Sequence, residues 1–260
     1  MTKLNRSIDR GLAVLEVVHT SGTISLAGLA RHTDLPKPTL LRICATLEAR
    51  RWLLRRSNDG YYQLGSAFPL GDGSPNLTDR LVAVGKDVIV QLSRKTGLGV
   101  DLAAAIGDGR VEIVDTTRVF KMHGVHPDSV GFRPSPVLSA LGTAFLFALS
   151  GADRAQALQN LADKLPREDI QAMPGLAPIL KGVAERGYAI RPKGHWGRAV
   201  DYGALPGAIA VPIFANKNPV GAVNLVWNAS ERSVDAVARD HHTRLQSAAH
   251  IIGRAFAELG

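Results

Sequence analysis

Residues 25–47 read SLAGLARHTDLPKPTLLRICATL, a pattern that predicts two helices joined by a short turn. Ser25 is a suitable N-cap for the first helix, and residues 33–36 form the turn before the second. Pro38 is compatible with the second helix because the first helical turn contains amide groups without helical partners. Two helices connected in this way are typical of the helix–turn–helix, whose second helix enters the major groove of DNA.

The segments on either side of this pair predict a winged version of the motif. Upstream, the apolar residues of 8–18 follow helical spacing on one face, with Ser7 as the expected N-cap. Downstream, residues 52–64 predict two short strands around an Asp-Gly turn, which is a strong hairpin signal. Residues 1–65 are therefore predicted to be a winged helix–turn–helix domain.

The second helix of the pair, residues 37 to about 50, has a predicted inner side and a predicted outer side. The inner side consists of Leu40, Ile43, Cys44 and Leu47. The residues expected to contact DNA are Lys37, Thr39, Leu41 and Arg42 on the outer side, Arg55 and Arg56 on the hairpin, and Arg6 before the first helix. Hairpin arginines suit the sugar-phosphate backbone, whereas the recognition helix suits base edges. The alternative is a three-helix scaffold whose basic residues are merely solvated.

Charge supports contact with a polyanion at this end of the chain. The whole chain has 31 basic and 23 acidic side chains and a net charge of +8. Residues 1–65 contain ten of the basic and only five of the acidic side chains. Because lysine and arginine contacts to phosphate dominate affinity for nucleic acids, double-stranded DNA is the expected partner.

The remaining residues predict a linker followed by a mixed domain. Residues 66–96 contain glycine, proline and serine clusters and then a helix from 78 to about 95, and residues 97–260 alternate between helical and extended patterns. The predicted strands are 99–106, 110–116, 119–125, 187–191, 207–214 and 219–227, and the predicted helices are 139–149, 151–163, 167–172, 174–187 and 234–258. A short strand-to-strand connection at 214–219 indicates an antiparallel sheet, so the fold class is α+β.

Catalytic and metal-binding patterns are missing from the sequence. It contains no nucleophile elbow, phosphate-binding loop or dinucleotide fingerprint. The histidine pairs at 123 and 126 and at 241 and 242 have no neighbouring cluster of acidic or thiolate ligands. We therefore expect no catalytic residue, no metal and no cofactor. The single cysteine, Cys44, is expected to be a buried structural residue.

The chain has no apolar run long enough to cross a membrane and no apolar segment behind its N-terminus. A cytoplasmic protein without a membrane partner is the expectation.

Several motifs together resemble the IclR-type bacterial transcriptional regulators. They are residues 7–12 (SIDRGL), 26–30 (LAGLA), 35–42 (LPKPTLLR), 62–65 (YQLG), 136–149, 185–188 (ERGY) and 208–213 (AIAVPI). The resemblance implies a winged helix–turn–helix, a linker helix and a GAF-like effector-binding domain, assembled as a homodimer or tetramer. Residues 186–188, 195–197 and 224–230 resemble regulators of hydroxyphenylpropionate and related aromatic-acid catabolism. Thr143 departs from the family, which usually has lysine at this position.

A pocket for a small molecule is predicted in the second half of the chain. Small residues at Ser139, Ala140, Gly142 and Ala208 leave space beside a sheet, and Asn224 adds an amide to an otherwise apolar strand. The resemblance implies ligand contacts at Ala140, Leu141, Ala208, Asn224 and Val226. Trp196 lies in a loop that could cover the pocket, and Arg133, His195 and Arg198 are the expected donors to a carboxylate. The expected effector is a small aromatic or similarly flat organic acid.

These observations predict a ligand-responsive regulator that binds a pseudo-palindromic operator, with RNA polymerase as a possible partner. One alternative is an enzyme with a C-terminal catalytic domain and an accessory DNA-binding module, which would turn over aromatic acids. Another is an architectural DNA-binding protein, which no small molecule would stabilise.

Overall fold

The computed structural model describes residues 5–65, 67–68, 77–125, 130–162, 164–192 and 205–259. The chain divides into two compact units, Met1–Asp79 and Arg80–Gly260. Each unit has a hydrophobic core of its own.

The N-terminal unit contains three helices and a small antiparallel sheet. The helices are α1 (Arg6–Ser21), α2 (Leu26–Thr33) and α3 (Lys37–Ala49), and the strands are β1 (Thr23–Ile24), β2 (Leu53–Arg55) and β3 (Tyr62–Leu64). The strand order is β1-β3-β2. This is the predicted helix–turn–helix with its hairpin. Strand β1, which the sequence did not predict, adds a third strand to the hairpin.

Helix α1 differs from its prediction in its cap and in its buried face. Asn5, rather than Ser7, is the N-cap, and its side-chain oxygen accepts hydrogen bonds from the amides of Ser7 and Ile8 at 3.1 and 3.4 Å. Ile8 and Leu12 share the predicted apolar face with Leu15 and Val18, but they are 61% and 51% exposed. Only the C-terminal half of α1 has core partners, because its buried residues are Val14, Leu15 and Val18.

The turn between α2 and α3 follows the sequence closely. The Ser25 hydroxyl accepts a hydrogen bond from the Gly28 amide at 3.0 Å and caps α2. Asp34 ends this helix in the left-handed conformation, with φ of 53°, which aspartate tolerates better than most residues. Pro36 then caps α3, and Pro38 lies in its first turn. Leu40, Cys44 and Leu47 are buried as predicted.

The rest of the chain forms a five-stranded sheet with helices on both faces. The strands are β4 (Asp101–Ala105), β5 (Val111–Thr116), β6 (Ala189–Ile190), β7 (Pro206–Ala215) and β8 (Asn218–Asn228). The helices are α4 (Leu77–Thr96), α5 (Phe120–His123), α6 (Ala140–Ala148), α7 (Gly151–Leu161), α8 (Arg167–Ala172), α9 (Leu176–Arg186) and α10 (Val234–Glu258). The strand order is β5-β4-β8-β7-β6, and all neighbours are antiparallel. The predicted α+β class with an antiparallel sheet is confirmed.

The predicted strand at 119–125 is wrong, because residues 120–123 form the short helix α5. The Val119 amide donates a hydrogen bond to Nδ1 of His123 at 3.0 Å, and the amides of Met122 and His123 donate back to the Val119 carbonyl. Gly124 ends the turn with a positive φ of 65°. A short apolar run does not distinguish strand from helix by periodicity alone.

The two faces of the large sheet have different coverings. Helix α6 packs on the face that contains Ala103, Ala208, Ala210, Ala222 and Val226, and these residues belong to one hydrophobic core cluster with residues of α6. Helices α4 and α10 pack on the opposite face, where Gly85 lies against Leu102 and Gly253 lies against the Phe214 carbonyl. Within the described residues, no helix has both the length and the apolar character needed to span a membrane.

Candidate functional site

Helix α3 presents the predicted contact residues on its outer side. Lys37, Leu41 and Arg42 are exposed, and Thr39 is half-buried. Arg6, the first residue of α1, is also exposed. A face with two cations and no carboxylate in its first two turns suits the polyanionic surface of DNA.

A groove of about 690 Å³ separates this side of α3 from α1. Its floor and walls are mainly apolar, and three arginines are among its lining residues. The lining residues are Ser7, Ile8, Arg10, Gly11, Leu12, Leu15, Thr39, Arg42, Ile43, Thr46, Leu47, Arg50 and Trp52. Arg42 and Thr39 therefore border the groove as well as the surface of α3.

The two hairpin arginines have different environments. Arg55 is exposed, and its guanidinium lies 5.9 Å from the centroid of the Tyr62 ring. Arg56 is buried, its Nε donates to Asn58 Oδ1 at 3.4 Å, and its Nη2 lies 3.3 Å from Asp59 Oδ2. Arg55 Nε also donates to the Gly60 carbonyl at 3.4 Å, so both arginines contact the turn, and they differ in that Arg55 is exposed whereas Arg56 is buried.

Four of the predicted effector contacts lie together where α6 packs on the sheet. Ala140, Leu141, Ala208 and Val226 belong to the same core cluster and are nearly fully buried. Ser139 is the N-cap of this helix, and its hydroxyl accepts from the Gly142 amide at 2.9 Å and donates to the Ser135 carbonyl at 2.6 Å. The serine hydroxyl is therefore used in capping.

The amide of Asn224, which was predicted to contact a ligand, is hydrogen-bonded within the sheet. Its Oδ1 accepts from the Asp101 amide at 2.8 Å, and its Nδ2 donates to Asp101 Oδ2 at 3.0 Å. Asn224 on β8 thus binds both the backbone and the side chain of Asp101 on β4. Both ends of the amide are engaged within the sheet.

Asp101 is the centre of a buried polar network that the sequence analysis missed. Its Oδ1 accepts from Arg118 Nε at 2.8 Å and from Thr116 Oγ1 at 2.7 Å. All four members, including Asn224, are buried. The signal was present in the sequence, because Asp101 and Asn224 each interrupt an apolar strand, but their pairing depends on strand order.

His123 lies beside this network as a neutral acceptor. Burial lowers its pKa below the ordinary value of 6.5, and the positive charge of Arg118 lowers it further. A neutral ring is required for Nδ1 to accept the hydrogen bond from the Val119 amide.

The remaining predicted residues divide between the surface and the part of the chain outside the described residues. Arg133 is 60% exposed, and its Nε donates to Glu112 Oε2 at 2.8 Å. Trp196, Arg198 and His195 lie outside the described residues. Thr143 is buried in α6, and its hydroxyl donates to the Val137 carbonyl at 3.4 Å.

Among the described residues, no group of three or more histidine, cysteine, aspartate or glutamate side chains could hold a metal ion.

Comparison with known proteins finds a family model that is similar to the N-terminal elements. Residues 7–57 match the family model of the IclR helix-turn-helix domain. This segment is therefore similar to the IclR helix–turn–helix domain. The match spans α1, α2, α3 and β2, and it includes Lys37, Leu41 and Arg42.

A curated relative matches about half of the chain. The acetate operon repressor of Salmonella typhimurium is 28% identical over 149 residues, which are 56% of this chain and 53% of the repressor. The chain thus spans about half the length of this curated relative.

Solved structures show the fold of the IclR proteins over nearly the whole chain. The Thermotoga maritima IclR structure covers 97% of this chain and 99% of its own, with a TM-score of 0.57 and 17% identity. An IclR homologue from Microbacterium hydrocarbonoxydans, solved in complex with 4-hydroxybenzoate, covers 98% of this chain and 100% of its own, with a TM-score of 0.56 and 21% identity. The structure of an IclR family regulator from Brucella abortus covers 96% of this chain and 92% of its own, with a TM-score of 0.55 and 23% identity.

Proposed function

We propose that this chain is an IclR-type transcriptional regulator that binds a pseudo-palindromic operator in double-stranded DNA. The observation that carries the proposal is the IclR helix–turn–helix match over residues 7–57, with Lys37, Leu41 and Arg42 exposed on α3. The proposed organisation is a DNA-binding domain at 1–65, a linker at 66–96 and an effector-binding domain at 97–260. A homodimer or tetramer acts in the cytoplasm, with RNA polymerase as a further partner.

The proposed contacts to DNA divide into two kinds. Lys37, Thr39, Leu41 and Arg42 contact bases and adjacent phosphates from α3, as in other recognition helices. Arg6 and Arg55 contact the backbone, because they are exposed cations at the end of α1 and on the wing. Arg56 supports the wing through Asn58 and Asp59.

Fluorescence anisotropy with duplexes selected by the wild-type chain tests this function. Lys37→Ala and Arg42→Ala should each weaken specific binding by about 1–3 kcal/mol where the side chain reads a base. Arg167→Ala, which removes an exposed arginine from α8, is the matched control and should leave affinity unchanged. Wild-type affinity in both α3 variants, or an equal loss in the control, would overturn the assignment of the DNA surface.

The second part of the proposal is an effector that is a small aromatic or similarly flat carboxylic acid. The buried cluster of Ala140, Leu141, Ala208 and Val226 supports it, since small and apolar side chains line most ligand pockets. The 4-hydroxybenzoate bound by the Microbacterium homologue also supports this class of ligand. Ser139, Asn224 and Arg133 belong to the proposed site, and the contacts predicted for Trp196 and Arg198 fall outside the described residues. The regulon is one of aromatic-acid catabolism.

Binding of the acid shifts the equilibrium between two conformers of the assembly only if the acid has a higher affinity for one of them. An acid at 100 times its dissociation constant should raise the free energy of unfolding by about 2.7 kcal/mol. Thermal unfolding with a panel of aromatic and aliphatic carboxylates, including 4-hydroxybenzoate, measures this effect.

A pair of alanine substitutions locates the site. Ala140→Val adds two methyl groups to the core cluster of α6 and the sheet, whereas Ala157→Val adds the same two groups to a buried position of α7 outside it. Calorimetric titration should show weaker binding in the first variant and wild-type binding in the second. Stabilisation of the wild type by none of the acids would refute the ligand class. Unchanged binding by Ala140→Val would refute the placement.

A further inference from the structure

Leu41 is an aliphatic side chain without an evident partner in its own unit. It is 47% exposed, whereas its neighbour Leu40 is fully buried. Among the described residues, the set that packs against the N-terminal core does not include Leu41. It is also not one of the residues that line the groove between α1 and α3, in contrast to the exposed Ile8 and Leu12.

The position of Leu41 within α3 places it where a recognition helix reads bases. It follows Lys37 by one turn and precedes Ala45 by one turn, so these three residues form one stripe along the helix. Lys37 and Ala45 are both exposed. The small side chain of Ala45 allows the helix to approach a surface closely, which brings Leu41 into contact with it.

The chemistry of the major groove identifies the partner of this side chain. Base edges there present hydrogen-bond donors and acceptors, together with the 5-methyl group of thymine. An aliphatic side chain satisfies none of the donors or acceptors, but it gains free energy by contact with a methyl group that is removed from water. The thymine methyl is therefore the group that Leu41 complements.

We propose that Leu41 reads the 5-methyl group of one thymine in each operator half-site, an inference that rests on the proposed function. Arg42 and Lys37 supply the charged contacts on either side of it. Leu41 thus contributes to the choice of sequence, and it adds nothing to the electrostatic attraction common to all DNA.

The experiment uses the full chain and duplexes that the wild type selects from a random-sequence pool. Each thymine of a selected site is replaced in turn by deoxyuridine, which removes only the methyl group. Replacement of one particular thymine in each half-site should lower the affinity of the wild-type chain about threefold to fivefold, which is the effect of one buried methyl group. The same replacement should have no effect on the binding of Leu41→Ala.

A matched control separates this role from a general effect of losing an exposed leucine. Leu259, at the end of α10, is 55% exposed, and Leu259→Ala should keep the full penalty for deoxyuridine. Thermal unfolding of both variants should match the wild type, because neither side chain is in a core.

The outcomes distinguish this inference from the function on which it rests. A selected operator in which no thymine is sensitive to deoxyuridine overturns the inference and leaves the function standing. A penalty that persists in Leu41→Ala has the same meaning. Failure of the wild type to select any duplex would refute the regulator function itself.

Discussion

Cys44 lies in the core of the N-terminal unit, next to Tyr62 of β3. Its side chain is fully buried, and burial is the main reason why the pKa of the thiol rises from 9.0 to about 11. A thiol with so high a pKa forms little thiolate near neutral pH, and thiolate is the form that reacts with oxidants and alkylating agents. The environment therefore favours the structural role expected from the sequence.

Two substitutions of Cys44 test whether protein stability depends on the apolar character of this side chain. Cys44→Ala should lower the free energy of unfolding only slightly. Cys44→Ser should lower it by about 1–3 kcal/mol, because it buries a hydroxyl among apolar side chains. Urea unfolding followed by circular dichroism measures both changes. Labelling of the native thiol at pH 7 should be slow and should become fast in urea. Rapid labelling of the folded protein would contradict the structural role.

The same thiol predicts a dependence of stability on pH. Because the folded state raises its pKa, its contribution is fully present below about pH 9 and is lost as pH rises towards 11. Cys44→Ala should lack this decline. A parallel loss of stability in both proteins across this window would attribute it to other groups.

At the scale of elements, the hairpin of β2 and β3 shows how two adjacent arginines acquire different tasks. Successive residues of a strand point to opposite faces, so Arg55 and Arg56 cannot share one environment. Arg55 stays exposed over Tyr62, and Arg56 turns into contacts with Asn58 and Asp59. We therefore expect Arg55 to contact DNA and Arg56 to support the shape of the wing.

Two alanine variants of the hairpin test this division. Arg55→Ala should weaken specific and non-specific DNA binding alike and reduce the slope of log affinity against log salt by about 1, with only a small loss in the free energy of unfolding, because its contacts to Tyr62 and Gly60 are exposed. Arg56→Ala should lower the free energy of unfolding more, by about 1 kcal/mol, since it removes a buried side chain together with its contacts to Asn58 and Asp59. Titrations at several salt concentrations and urea unfolding measure the two effects. Identical behaviour of the variants would contradict the assignment.

At the scale of the whole molecule, the buried network around Asp101 connects segments that are far apart in the chain. Asp101 of β4 binds Arg118 beyond β5 and Asn224 of β8, which lies 123 residues away. Hydrogen bonds of this kind cost little only when every member is paired, so the network favours one arrangement of the three strands. It lies on the same face of the sheet as the proposed effector site.

Removing one charge from this network should lower the free energy of unfolding far more than removing a charge from the surface. Arg118→Met should lower the free energy of unfolding by about 3–5 kcal/mol, because Asp101 is left as an uncompensated buried carboxylate. The double variant with Asp101→Asn and Arg118→Met should regain part of the lost free energy of unfolding. Arg133→Met removes the exposed ion pair with Glu112 and should cost less than about 1 kcal/mol. Equal effects of Arg118→Met and Arg133→Met in urea unfolding would contradict the role of the network.

Local signals in the sequence determined the helix–turn–helix and most elements of the second unit. The Ser25 cap, the turn before Pro36 and the Asp-Gly hairpin act within a few residues, so they are readable without the fold. The final helix, predicted at 234–258, has these bounds in the structure. The antiparallel sheet followed from the short connection between β7 and β8. The division at residues 65 and 96 and the role of each site residue stay predictions.

Tertiary structure alone decided which side chains meet. Whether Leu12 is buried depends on what packs against α1, and whether Asn224 is free depends on β4 lying beside β8. Periodicity shows which residues share a face, but it does not identify the element that covers the face. The local pattern of α3 was therefore sufficient to predict the outward positions of Lys37 and Leu41. The pairing of Asp101 with Arg118 required strand order and burial, because a charge remains in a core only where long-range contacts supply its counter-charge.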